Sequence, residues 1–205
     1  MKTNLTLVLL TGLLFSQNLF ADSPLTSTDI SKAYEDLEIV QLASKADGKL
    51  TIELMYYLNE SKNPIEFKIA VIHRLGWNID GKSNATVFFQ YLKEKNNVKD
   101  IDKFLNQASG DLLICIAYLK ALDNYFDLEE AIIYAKKAKL KNTKSFTISI
   151  ISALIEAQKA MDSDWCKVYN LTNNVRINDS LNRDMKIQAS KIIFEYMDLY
   201  KDDCK

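Results

Sequence analysis

Apolar residues recur every three or four positions along most of the chain, the spacing of helices that bury one face. Residues 127–141 show it most clearly. Leu128, Ala131, Ile132, Ala135 and Ala138 form one stripe, with Glu129, Glu130, Lys136, Lys137 and Lys139 beside it. Asp127 followed by Glu130 reads as a D-x-x-E capping box, and acids first with lysines last suits the helix dipole. Asn63-Pro64 reads as another start, an N-cap and then proline at the first helical position. Gly48, Gly76 and Gly110 each follow an apolar-periodic stretch, where C-terminal caps are expected. The pattern predicts ten helices, over residues 29–46, 50–60, 64–75, 84–95, 98–108, 111–124, 128–141, 144–161, 165–176 and 181–202. Short apolar runs such as 69–75 and 148–151 would also fit strands, but their flanks lack hairpin turn signals. Short polar turns join the helices, and no linker or low-complexity stretch separates them. The expected fold class is all-α: stacked antiparallel helical hairpins, as an α-solenoid or an irregular helical array, in a single all-helical domain over residues 22–205.

Composition narrows the class further. With 48% hydrophobic residues the chain is too apolar for a disordered one, and 5 Gly with 2 Pro are too few for a turn-rich sandwich or barrel. A net charge of −1 supplies no global basic field for nucleic acid or anionic membrane. One histidine excludes a His-rich metal site.

Residues 1–21 read as a secretory signal peptide: Lys2 gives the positive start, LTLVLLTGLLF the apolar stretch, and Ala21 a small residue before cleavage at Asp22. That stretch is about half the ~20 residues a membrane span needs. No later stretch is long enough, so the processed chain is expected to be soluble and exported, periplasmic or secreted. The Lys-led signal and the Asn/Lys/Ile-rich composition look bacterial, which makes the Asn-x-Ser/Thr triplets at Asn59, Asn84, Asn170 and Asn178 incidental. Export also changes the reading of the three cysteines. Cys115 lies in the apolar run DLLICIAYLKAL and reads as a small buried hydrophobe. Cys166 and Cys204 lie in polar surroundings and are expected to pair. The predicted helices between them, roughly 18 Å and 33 Å long, do not match in length. The second must therefore bend, unwind or end early for the pair to form. Zinc is not expected, since no CxxC pair exists and His73 is remote in sequence.

Helix starts near Asp111, Lys144 and Leu181 are spaced by 33 and 37 residues. Residues 125–145 (YFDLEEAIIYAKKAKLKNTKS) resemble the second helix of a tetratricopeptide repeat, with Ala131, Ala135 and Ala138 at its small packing positions and Thr143 where proline is usual. The preceding helix departs from the pattern at Leu119 and Leu122, and residues 144–176 keep the length without the alanines. The resemblance implies a right-handed helical solenoid and a protein-binding role, with no catalytic residues.

Candidate chemistry is sparse. Residues 76–83 (GWNIDGKS) match the P-loop expression, in which Lys82 would reach phosphates and Ser83 would hold magnesium. A P-loop follows a buried strand of a parallel sheet, but no set of further strands alternates with helices here, and Trp77, Ile79 and Asp80 are bulky or negative where a polyanion must approach. The competing reading makes Gly76 a helix cap, Asp80-Gly81 a turn, and Ser83 or Asn84 the next N-cap. His73 could act as a general base with Asp80 nearby, and Cys115 as a nucleophile if His73 met it in space. The acid pairs Glu35-Asp36, Glu129-Glu130 and Asp162/Asp164 suit solvated faces. The aromatic doublets Tyr56-Tyr57, Phe88-Phe89 (with Tyr91) and Tyr125-Phe126 fit either core or a ligand surface. The expected function is therefore an exported, non-enzymatic protein-binding module without cofactors. The alternatives are a periplasmic immunity protein that neutralises a secreted toxin, and an enzyme built on His73 or the Gly76 to Ser83 loop.

Overall fold

The structure is a computed structural model that describes residues 23–205. The predicted cleavage site, Ala21 and Asp22, lies outside the described residues. The fold is all-α. Its helices are α1 (Glu38–Ser44), α2 (Ile52–Asn59), α3 (Ile65–Arg74), α4 (Asn84–Lys95), α5 (Ile101–Gln107), α6 (Gly110–Asp123), α7 (Glu129–Lys141), α8 (Phe146–Ala160), α9 (Trp165–Arg176) and α10 (Ile187–Met197), with 3-10 turns at Ile30–Tyr34 and Asp198–Cys204. Among the described residues the sole β-type pairing is one isolated bridge between Ser145 and Asn182.

Three helices carry the core because their apolar residues run almost all the way round. Every residue from Leu113 to Ala117 of α6 is buried, as is every residue from Phe146 to Ile155 of α8 and from Lys68 to His73 of α3. The more amphipathic helices cover them: α7 packs on α6 and α8, α9 on α8, and α4 on α6. Glu130 pairs with Lys120 of α6, and Glu129 with Lys159 of α8 at 2.8 Å. Those pairs place the α7 N-terminus beside the C-terminal ends of both neighbours, so the helices alternate in direction. The first pair also takes up Glu130 of the predicted capping box, and Leu128, not Asp127, stands at the N-cap of α7, without a side-chain hydrogen bond.

Gly48 (φ +70°) lies in the turn four positions beyond the end of α1, whereas Gly76 (φ +66°) ends a helix, α3, as expected. Gly110 does not; it is the first residue of α6. A Cβ there would lie 2.9 Å from Ala138 O and 3.0 Å from Asn142 Cβ, so glycine is needed for the close approach of α7. Two predicted helices are also broken. Residues 29–46 divide into a 3-10 turn and α1. Residues 181–186 are not helical, because Asn182 pairs with the chain before α8: its N–H donates to Lys144 O at 2.7 Å, and its carbonyl accepts from Phe146 N at 3.1 Å.

Several helix starts are capped from elsewhere in the chain. The Asp123 carboxylate accepts Ala85 N of α4 at 2.7 Å. Asp184 accepts Thr147 N of α8 at 2.8 Å and the Ser145 hydroxyl at 2.6 Å. Glu66 accepts the Lys186 N–H that opens α10 at 2.8 Å, together with the Tyr34 hydroxyl at 2.7 Å. Each meets otherwise unpaired helical donors with a negative charge at the positive end of the dipole.

Candidate functional site

Between α7 and α9, above α8, lies a groove of about 720 Å³. Its floor is Ser149, Ala153 and Glu156 of α8. These positions recur at helical spacing, and the first two are small, so the walls stand apart without filling the space. The Ser149 hydroxyl donates back to Ser145 O at 2.8 Å, which turns its proton away from the groove. Lys136, Lys139, Leu140 and Thr143 line the α7 wall; Leu171, Asn174, Val175 and Asn178 line the α9 wall. Leu181 closes one end, where the pairing of Asn182 with Lys144 and Phe146 ties the two walls together. Leu140 is 80% exposed on the rim. Burying one such leucine is worth about 2 kcal/mol.

His73 sits elsewhere, 9% exposed in the core. Its Nδ1 lies 2.6 Å from the Tyr118 hydroxyl, and its Nε2 is 3.5 Å from Asp29. A carboxylate on the Nε2 side favours the tautomer that carries its proton there, in which Tyr118 donates to Nδ1. Burial holds the imidazole down at about 4, with Asp29 opposing and Arg74 adding to the shift. Tyr118 is wholly buried and its hydroxyl is pushed well above the usual tyrosine range, chiefly by desolvation. No substrate reaches this pair. The partner of His73 is thus Asp29 rather than Asp80. Cys115 is also fully buried, and desolvation raises its thiol to about 12 against the pull of Lys68, which leaves no thiolate nucleophile.

The loop from Gly76 to Ser83 follows α3 rather than a strand. The Lys82 amine donates to the carbonyls of Leu75 and, at 3.0 Å, Gly76, so it holds the C-terminal end of α3 in place of phosphates. Burial lowers its pKa, against Asp123 and Asp47. Gly81 N–H donates to Asn78 O at 2.9 Å, the expected turn. Ser83 stands at the N-cap without a side-chain bond, since Asp123 does the capping.

Cys166 and Cys204 stand at disulfide-bonding distance, with Cα atoms 4.7 Å apart. The length mismatch disappears because α10 starts at Ile187 and the 3-10 turn after it, Asp198–Cys204, is what runs back along α9, from the Arg176–Asp198 pair to the two cysteines. The aromatic doublets divide unevenly, with Tyr57 and Phe89 half-buried against the core. Phe88 and Tyr125 are buried, whereas Tyr56 and Phe126 are half to mostly exposed. These doublets lie on outer helices or loops, which bury a single side. Among the described residues no cluster of three or more His, Cys, Asp or Glu could hold a metal ion, and no helix is long and apolar enough to cross a membrane.

The groove was not singled out from the sequence. Its signal was present in Ser149 and Ala153 breaking the large apolar run of α8, opposite a lysine-rich α7. No family model, curated protein or solved structure matches the chain.

Proposed function

We propose that the chain is an exported, non-enzymatic protein-binding module that uses the α7–α8–α9 groove. The groove itself carries this reading: it is open to solvent, its walls and end present Leu171, Val175 and Leu181, and it bears the exposed Leu140 on its rim. Such a surface suits a partner side-chain row better than a small molecule, which is bound by burying most of its area. The order of packing, α6 on α7, α7 on α8, α8 on α9, supports the tetratricopeptide-like reading of this half. The titratable groups that could do chemistry are buried or engaged in capping, which favours binding over catalysis.

The test is affinity capture from the exported fraction with the processed protein, with Leu140→Asp and Ala153→Arg, and with Lys62→Ala as a distant control. The reading requires at least one protein held by wild type and control and lost from both groove variants, while all four proteins keep the same helical circular dichroism. Identical captures from all four would reject it.

A further inference from the structure

The groove has a sign and a direction, and these specify its partner beyond the protein-binding reading on which this inference rests. Lysines stand at 136, 137, 139, 141 and 144 with no acid between them. Lys136 and Lys139 face the groove, and neither makes an ion pair within 4.0 Å among the described residues. The acids at the start of α7 are already engaged, Glu129 with Lys159 and Glu130 with Lys120. The facing wall contributes the neutral amides of Asn174 and Asn178. The one acid in the groove is Glu156, on the floor towards the end away from Leu181.

The walls and floor are helices whose backbone groups bond internally, so they offer no edge for an added strand. A helix brings its own backbone hydrogen bonds, and the small Ser149 and Ala153 let it approach closely. Ser149 to Glu156 covers about 10 Å of α8, two helical turns. We propose that the groove binds a two-turn amphipathic helix of a partner protein, with apolar residues directed at Ala153, Val175 and Leu181 and carboxylates along the edge facing Lys136 and Lys139. Glu156 favours a basic residue at the open end, which sets the direction of the bound helix. The rim charges select and orient; the apolar surface of Leu140, Ala153, Leu171, Val175 and Leu181 supplies most of the affinity.

The probe is a fluorescein-labelled peptide of about 16 residues built from Leu, Ala and Glu, with leucines on one helical face and glutamates on its flanks. Its counterpart has lysine at every glutamate. Fluorescence anisotropy with the processed protein should show the Glu peptide binding about tenfold or more tightly, an advantage that shrinks as salt rises from about 0.05 to about 0.5 M. Lys136→Glu with Lys139→Glu, both exposed positions, should reverse the preference, and the uncharged Leu140→Ser should weaken both peptides. Equal affinities, no measurable binding of either peptide, or a preference untouched by the lysine reversal would each overturn the proposal. If groove variants still abolish capture of an exported protein, the protein-binding reading survives and the acidic helix alone is rejected. If capture is unaffected as well, both fall.

Discussion

The Tyr118 hydroxyl and His73 Nδ1 share a hydrogen bond of 2.6 Å inside the core, while Asp29 stands 3.5 Å from the far side of the same ring. The chain's one imidazole is therefore built into the packing as a neutral group. Its native pKa of about 4 lies below the ordinary 6.5. Between those values the unfolded chain binds the proton and the native one does not, so stability falls as pH drops from about 6.5 through 4. The whole window is worth on the order of 3 kcal/mol. Urea titrations at stepped pH should show this loss, and His73→Gln should flatten the profile over that range. An unchanged profile would mean that the ring titrates as if exposed.

Asp123→Ala leaves the α4 start without its acceptor, and the lost charged hydrogen bond is expected to cost about 1.5–3 kcal/mol. Asp162→Ala, on an exposed turn, should stay within about 0.5 kcal/mol of wild type. Chemical denaturation of the two variants side by side checks the difference.

The sequence showed helices that local chemistry delimits. For α4 and α9 both ends were legible, because Asn84 and Trp165 follow good capping residues and the periodicity stops where the helix does. The capping by Asp123, Asp184 and Glu66 was not legible. These carboxylates stand 38, 37 and 120 positions from the amides they meet, and no short-range rule reaches that far. Residues 181–186 misled for a related reason. Leu181 and Met185 are apolar at i and i+4, as in a helix, and both are buried. A pairing with the chain before α8 buries them just as well.

Lys82→Ala removes both bonds to the end of α3 and should lower stability by about 1 kcal/mol. ATP with magnesium should leave the melting temperature of wild type unchanged, since only a ligand that prefers the native state raises it. An ATP-dependent rise that disappears in the variant would restore phosphate binding to this loop.

Cys166→Ser with Cys204→Ser releases a closure across 38 positions and is expected to cost about 2–4 kcal/mol. Non-reducing peptide maps of protein from an oxidising compartment should join these two cysteines and leave Cys115 as a thiol.

The knot of Tyr34, Glu66 and Lys186 reaches across almost the whole chain: the Lys186 amide meets a hydroxyl 152 positions earlier. A growing polypeptide delivers residues 30–34 long before the segment that completes their surroundings. An array of independent repeats can settle unit by unit as it emerges. Here the first turn stays unfinished until the last helix arrives. Completion of this contact therefore waits until residue 186 has been made, and it carries the loop-closure cost of joining distant parts of the chain.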